Sequence, residues 1–251
     1  MKLFQNWTSI VALIVEGILI LAFPGCKSIT HTVPEFEMEK SVVVLSLDDS
    51  PNVHGDTTAR VLDILKKYNI SAMFSVLGVN AEQHPELVRR IHDEGHIIIN
   101  HGYSDKWASN MGDREFRENL EKGEAAIASA LGREALYPRL YRPHGGFYSE
   151  RQEKIVREAG WTLIGANIRG WDAACSEPEK DKVVRQIIKK TEKNRGGIIL
   201  LHDGKDSYRR LNAGVEKNPS GTYNRSWIPD AVEEIIIALL EKGYVFKTPV
   251  Y

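Results

Sequence analysis

From Ser41 to the end of the chain, short apolar runs rich in β-branched residues alternate with longer amphipathic stretches. This alternation is typical of βα units, in which helices connect parallel strands and cover the sheet. Seven strands are predicted, at Val42–Leu47, Ala72–Leu77, His96–Asn100, Leu140–Arg142, Thr162–Ile168, Gly197–Leu201 and Tyr244–Lys247. Six helices are predicted, at Thr57–Tyr68, Pro85–Glu94, Asp113–Leu131, Glu150–Ala159, Glu179–Lys193 and Pro229–Lys242. Because roughly 210 residues of such units suit one barrel, we expect a single barrel-like α/β domain over residues 41–251.

The first 40 residues do not follow this alternation. A mostly apolar run from Ile10 to Phe23 is interrupted by Glu16 and leads into Gly25 and Cys26. A spanning helix would need about 20 apolar residues without a central charge, so residues 1–26 are predicted to be an export signal.

Three outcomes of this signal are compatible with the sequence. Gly25 before Cys26 resembles a lipoprotein cleavage site, at which Cys26 would carry lipid, although Phe23 and Pro24 depart from the usual pattern. The segment could also stay uncleaved as an anchor, or be removed in ordinary secretion. Either of the first two would attach the protein to a membrane through its N-terminus. Residues 27–40 have no apolar period and are predicted to be a linker.

Charge and cysteine content exclude two classes of protein. The chain has 33 Lys and Arg against 34 Asp and Glu, so its formal net charge is −1. Without a basic surplus, nucleic acid is not an expected partner. The two cysteines, Cys26 and Cys175, are far apart in the chain, which leaves no disulfide framework. Stability must therefore come from the hydrophobic core.

Titratable residues follow five of the seven predicted strands. In α/β barrels the carboxyl ends of the strands converge on one face, where the chemistry is located. In chain order these residues are Asp48 and Asp49, His101 and Asp105, Arg142 with the loop Pro143-His144-Gly145-Gly146, Trp171 with Asp172, and His202 with Asp203. We therefore expect one functional site at this face.

The acidic residues among them suggest a metal and a base. Consecutive side chains leave a strand on opposite sides, so Asp48 and Asp49 can serve separately as a general base and a metal ligand. Alone, the pair could equally cap the next element. His101 and Asp105 are four residues apart, which on a helical turn places both on one face, a common spacing for metal ligands.

The remaining residues also have structural alternatives. Arg142 could keep one aspartate ionised, or could be a surface arginine. His202 follows a buried strand and is placed for acid–base chemistry, although a buried histidine can also be purely structural. Tyr103 and Trp107 could form a platform for a sugar, or could pack in the core.

Four segments together resemble the motifs of the NodB-type polysaccharide deacetylases, carbohydrate esterase family four. They are LSLDDSP at 45–51, GHIIINHGYSD at 95–105, YRPHGG at 141–146 and IILLHDG at 198–204, in the order typical of the family. The resemblance extends from Val42 to about Val250. It implies a distorted (β/α)7 barrel, a divalent metal that is usually zinc, and hydrolysis of acetyl groups on sugars.

The resemblance also implies roles for individual residues. By it, Asp48 matches the catalytic base, Arg142 the arginine that pairs with this base, and His202 the general acid. Asp49 and His101 match metal ligands. Leu200 matches the residue that lines the pocket for the acetyl methyl group, and the Gly145 region would supply a backbone N–H for the oxyanion.

The chain departs from the family at several positions. Asp105 stands where the third metal ligand is normally histidine, and His144-Gly145 where Pro-Tyr is common. An additional carboxylate ligand would make the site more tolerant of manganese or another oxygen-preferring ion. The motif NIRGWD at 167–172 keeps Trp171 as a substrate-binding residue but has Gly170 at the usual acidic position. Asp172 is then either the residue that orients His202 or a bystander.

Two classes of function remain open. The first is an active deacetylase of N-acetylated sugars in a polysaccharide, with N-acetylglucosamine of peptidoglycan or a chitin-like glycan as the leading substrate. The second is a sugar-binding homologue whose metal site has decayed. If the chain is an enzyme, an O-acetyl esterase acting on acetylated xylan is an alternative to the N-deacetylase. Export predicts a cell-envelope location, with lipid attachment at Cys26 as one of the three outcomes left open above.

Overall fold

The computed structural model describes residues 11–15, 18–22, 26–29, 41–132 and 137–249. Its strands are β1 Val11–Val15, β2 Ile18–Ala22, β3 Cys26–Ser28, β4 Val42–Ser50, β5 Met73–Val76, β6 Ile97–Asn100, β7 Leu140–Tyr141, β8 Phe147–Ser149, β9 Thr162–Leu163, β10 Ile168–Arg169, β11 Gly197–His202 and β12 Val245–Phe246. Its α-helices are α1 Thr57–Tyr68, α2 Gly78–Gln83, α3 Pro85–Asp93, α4 Asp113–Leu131, α5 Glu150–Glu158, α6 Lys180–Asn194, α7 Tyr208–Lys217 and α8 Ile228–Glu241. All six predicted helices and six of the seven predicted strands are present, and two short strands, β9 and β10, lie where the strand Thr162–Ile168 was predicted.

The main sheet is parallel throughout, and its strand order is β10-β11-β4-β5-β6-β7-β9, with β12 also paired to β4. The strand predicted at Thr162–Ile168 is divided between the two edges, because β9 pairs with β7 and β10 pairs with β11. Only residues 164–167 separate these two edge strands, so the edges must lie close together. The sheet is therefore curled, and the predicted distorted (β/α)7 barrel is confirmed.

Side chains of β4 alternate between two cores, as the pleat of a strand requires. Val43, Leu45 and Leu47 belong to a large cluster that also contains the buried faces of the helices. Val44 belongs to a second cluster that contains no α-helix residue and therefore fills the inside of the curled sheet. That inner cluster consists of Ile29, Val44, Met73, Ile99, Leu140, Tyr148, Ile164, Ala166, Ile198 and Leu200.

Sequence signals at the helix ends explain why most predicted boundaries agree with the structure. Helix α4 ends at Gly132, whose φ of 69° is the left-handed conformation that favours glycine at this position. Helix α5 begins with a capping box between Ser149 and Gln152, which satisfies two main-chain N–H groups. Helices α2 and α7 were not predicted. Helix α2 has only 6 residues, too few to show a helical period.

The N-terminal segment is described in three pieces. Strands β1 and β2 pair antiparallel with each other, and β3 pairs antiparallel with β8. Directly after β3, Ile29 is buried in the inner cluster. The first three residues of the predicted linker thus contact the domain, whereas residues 30–40 lie outside the described residues. Within the described part of the chain, no helix has the length and apolar character needed to cross a membrane.

Candidate active site

Arg142 occupies the centre of the curled sheet, with no exposed surface. Its Nη1 donates to Asp48 Oδ1 at 2.5 Å, to Ser46 Oγ at 2.7 Å and to Ser75 Oγ at 3.2 Å. Its other nitrogens donate to the carbonyls of residues 164–165. The alternative of a surface arginine is therefore wrong, and the structure brings Arg142 and Asp48 together as expected.

Asp48 is ionised at neutral pH because of these neighbours. Burial raises the pKa of its carboxyl, but the charge of Arg142, with His202 and the hydroxyl of Ser75 behind it, opposes burial, and the pKa lies below its usual value. Since Oδ1 accepts from Arg142, Oδ2 is the oxygen left to accept a proton. The arrangement suits a general base.

Asp49 reaches the same side of the sheet as Asp48 because the backbone changes direction there. Its φ is 65°, in the left-handed region, and the pairing of β4 with β5 shifts register between Leu47 and Ser50. The main chain of Gly204 lies so close that a Cβ there would be 2.3 Å from the carbonyl oxygen of Asp49. In a regular strand the side chains of Asp48 and Asp49 would point to opposite faces. The local bend removes this alternation, so both carboxylates enter one site.

Asp49, His101 and His144 form a buried group that could hold a metal ion. Asp49 Oδ1 lies 3.4 Å from His101 Nε2 and 3.3 Å from His144 Nε2. Ligands at the usual 2.0–2.2 Å from a tetrahedral zinc ion would be about 3.3–3.6 Å apart. Asp49 Oδ1 is also buried without a hydrogen-bond partner, which is costly unless a cation binds it. The three residues therefore fit a divalent metal.

The hydrogen bonds of His101 favour this role. Its Nδ1 lies 2.7 Å from the carbonyl oxygen of Arg142, which can only accept, so Nδ1 carries the proton. Nε2 is then the unprotonated nitrogen and faces Asp49. Such a bond to the second ring nitrogen is the usual way in which a histidine ligand is oriented.

His144 is the member of this group that the sequence prediction missed. It is 5% exposed, and burial lowers its pKa, but the carboxylates of Asp49, Asp206 and Asp105 raise it overall. Its Nε2 lies 3.7 Å from Asp206 Oδ1, while its Nδ1 has no hydrogen-bond partner among the described residues. The signal available was its place directly after strand β7 and Pro143, at the face where the other ligands converge.

Asp105, predicted to be the third ligand, is not in this group. Its Oδ2 accepts from Ser207 Oγ at 2.5 Å and from Ser207 N at 3.1 Å, and lies 3.8 Å from Arg210 Nε. One ground for the prediction, the four-residue spacing, assumed a helical turn at residues 101–105, whereas these residues are non-helical and Gly102 has a φ of 86°. The helical geometry on which the spacing argument relied is therefore missing.

His202 is held by Asp172. The ring Nδ1 lies 3.2 Å from Asp172 Oδ1, and the main-chain N–H of His202 donates to Asp172 Oδ2 at 2.9 Å. Burial lowers the pKa of His202, but the carboxylate of Asp172, with Asp49 and Asp48 behind it, raises the pKa to about 9. Nε2 has no hydrogen-bond partner among the described residues. A protonated His202 is thus directed at the site.

Arg225, which was not singled out from the sequence, completes this pair. Its Nη2 donates to Asp172 Oδ2 at 2.5 Å, and it also donates to the carbonyl oxygens of Asp172 and His202. It is fully buried, although it lies in a polar segment between α7 and α8 that shows no strand or helix pattern. Asp172 therefore contacts His202 on one side and Arg225 on the other. These contacts favour a role in orienting His202 over that of a bystander.

Comparison with known proteins identifies the family of the chain. The family model described as polysaccharide deacetylase matches residues 36–164, a little over half of the chain. The chain belongs to the polysaccharide deacetylase family. The resemblance carried by the four motifs is thereby confirmed. Over 224 residues the chain is 27% identical to a peptidoglycan-N-acetylglucosamine deacetylase of Bacillus cereus, covering 88% of this chain and 90% of that relative.

Two solved structures of similar proteins share the fold. One is a peptidoglycan N-acetylglucosamine deacetylase, with a TM-score of 0.68 and 29% identity, covering 84% of this chain and 87% of the other. The second is a family 4 acetyl xylan esterase from Clostridium thermocellum in complex with a cobalt ion. It has a TM-score of 0.64 and 28% identity, covering 82% of this chain and 87% of the other.

The predicted substrate-binding residues of this polysaccharide deacetylase lie around the same centre. Leu200 is buried in the inner cluster and pairs in register with Ser46, two residues before the Asp48–His202 pair. Gly145 follows His144 with a φ of 80°, and Trp171 precedes Asp172 with a φ of 59°. Their positions are compatible with the expected roles, which remain predictions.

Proposed function

We propose that this chain is a metal-dependent hydrolase that removes acetyl groups from N-acetylated sugars of a polysaccharide, foremost N-acetylglucosamine of peptidoglycan. The observation that carries the proposal is the convergence of three groups at one face of the barrel. They are the ligand group Asp49, His101 and His144, the Asp48–Arg142 pair, and the His202–Asp172 pair.

Asp49, His101 and His144 would hold the metal. When bound, a divalent cation supplies a Lewis acid that polarises the acetyl carbonyl and lowers the pKa of water. One carboxylate and two imidazoles form the mixed oxygen and nitrogen set that zinc accepts. Because His144 takes the place expected for Asp105, the reason for favouring manganese is removed, and zinc becomes the metal that we propose.

Asp48 would accept the proton of the attacking water. Its carboxylate is kept ionised by Arg142, and the same hydrogen bond fixes its orientation. Attack on the acetyl carbon gives a tetrahedral intermediate whose negative oxygen needs a donor. The N–H of Gly146 is already used, because it donates to the carbonyl oxygen of Pro143 at 3.0 Å. We therefore propose the N–H of the preceding residue, Gly145, as the donor to this oxygen.

His202 would donate the proton to the departing nitrogen. An amine cannot leave as its anion, so a general acid is required for breaking the C–N bond. With its pKa raised to about 9, His202 carries that proton at neutral pH. Asp172 holds Nδ1 and directs Nε2 to the substrate, and Leu200 would pack against the acetyl methyl group.

The identity of the glycan is supported by the relative from Bacillus cereus, whose name specifies peptidoglycan N-acetylglucosamine. The acetyl xylan esterase neighbour supports the alternative of an O-acetyl substrate. The decisive experiment measures acetate released from peptidoglycan, N-acetylglucosamine oligomers and acetylated xylan by protein stripped of metal and then reloaded with zinc. Release from the first two only with metal supports the proposal. Release from xylan alone identifies an esterase, and no release from any substrate contradicts enzymatic activity.

We further propose that the protein is exported and acts in the cell envelope. The apolar run before Cys26 and the polymeric nature of the proposed substrate support this location.

A further inference from the structure

Trp107 exposes an indole ring beside the candidate active site. Half of its surface, 50%, is accessible to solvent. The other large exposed hydrophobic side chains among the described residues are Ile237 and Leu240 on α8 and Val245 on β12. A single exposed apolar side chain needs no explanation, so the contacts of Trp107 decide its significance.

One side of the indole packs against the main chain of Gly145. A Cβ at this glycine would lie 2.7 Å from Trp107 Cγ and 2.8 Å from Cδ2, which no real side chain could tolerate. The ring therefore occupies the space into which a side chain at residue 145 would project. Gly145 directly follows the proposed ligand His144, so the indole lies against the loop that carries this ligand.

The backbone that carries Trp107 is held in place on its far side. Its carbonyl accepts from Asn110 N at 2.9 Å, in the 3-10 turn Ala108–Asn110. Gln152 at the start of α5 donates to the carbonyl oxygens of Ala108 and Met111. The indole is thus presented from a fixed segment, with one side covered by Gly145 and the remainder exposed.

We propose that the exposed side of Trp107 is a stacking platform for a pyranose ring of the glycan, next to the sugar that loses its acetyl group. This inference rests on the proposed function. Pyranose rings present faces of C–H groups, and a flat indole offers large contact area at low entropic cost. The platform would select chains of two or more sugars over a single sugar.

The test compares Trp107→Ala and Trp107→Phe with wild type on N-acetylglucosamine and its oligomers of two to five units. Trp107→Ala is expected to lower kcat/KM for the longer oligomers roughly 10-fold, equivalent to about 1.4 kcal/mol, mainly through KM. The single sugar should be affected least, and Trp107→Phe should recover most of the loss. Leu240→Ala, an exposed position on α8, is the control and should match wild type.

A binding measurement separates this inference from the proposed function. Calorimetric titration of metal-free wild type, Trp107→Ala and Trp107→Phe with N-acetylglucosamine tetramer needs no turnover. Weaker binding by Trp107→Ala, with an unchanged melting temperature and recovery in Trp107→Phe, supports the platform even if no acetate is ever released. Equal tetramer binding by Trp107→Ala and wild type overturns it, as does an equal loss at every chain length, even if the deacetylase activity is established.

Discussion

His101 and His144 direct their Nε2 atoms at the same oxygen, Asp49 Oδ1, from 3.4 and 3.3 Å. They belong to different loops, one following β6 and the other following β7. The group that could hold a metal therefore takes its two imidazoles from two neighbouring strand ends, rather than from a single segment of the chain.

This relationship predicts that His144 is needed for metal binding and that Asp105 is not. His144→Ala should weaken zinc affinity at least about 100-fold, since it removes one of three ligands. Asp105→Ala should change the affinity much less, because its carboxylate is bound to Ser207. Competition with a chromogenic chelator measures both affinities. A loss in Asp105→Ala as large as that in His144→Ala would assign Asp105 to the metal after all.

The adjacent aspartates should separate into two phenotypes. Asp48→Asn should lower kcat about 100-fold or more while the protein still binds zinc, because it removes the base and spares the ligands. The matched variant Asp49→Asn should lose zinc affinity. Metal content after dialysis and acetate release distinguish the two. Loss of zinc from Asp48→Asn with retention in Asp49→Asn would reverse the assigned roles.

His202 should determine the alkaline limb of the pH–rate profile. A general acid works while protonated, so activity should persist below the raised pKa of about 9 and fall as pH rises through it. A bound cation would shift this limb to lower pH. His202→Ala should lower kcat about 100-fold or more without loss of zinc.

The Asp172–Arg225 pair gives a further test of the same residue. Asp172→Asn removes the charge that raises the pKa of His202. We therefore expect kcat to fall and the alkaline limb of the pH–rate profile to move to lower pH. Arg225→Met should lower the melting temperature, because it leaves the buried carboxylate of Asp172 without its arginine partner. If Asp172→Asn lowers kcat with an unchanged limb, Asp172 only supports the fold.

Asp203 should make stability depend on pH. Burial raises the pKa of its carboxyl to about 6, although Ser50 and Thr58 donate hydrogen bonds to it. The folded state then binds this proton more tightly than the unfolded state, so stability should fall as pH rises from about 4 to about 6. Urea unfolding of metal-free Asp203→Asn and wild type at pH 4 and pH 7 measures this. The free energy of unfolding of the variant, relative to that of wild type, should be higher at pH 7 than at pH 4. An equal difference between the two proteins at both pH values would contradict the raised pKa of Asp203.

The sequence predicted the fold well because the βα pattern is local, and each strand and helix has its own signal. It also located Asp48, Asp49, His101 and Arg142 at one place, since all follow strands whose ends converge. It failed where position depends on loop conformation. The spacing of His101 and Asp105 predicts a shared face only in a helix, and the chain there is not helical. Nothing local marks Arg225, because its partner Asp172 is 53 residues away in sequence.

The convergence of loops at one face also bears on how such a site changes over time. The loops after β6 and β7 each bring an imidazole to Asp49 Oδ1, so the donors of such a group need not all belong to one motif. A histidine that is lost from one loop can be compensated by a histidine on another loop of the same face. A missing motif histidine is therefore weak evidence that a lineage has lost its enzyme.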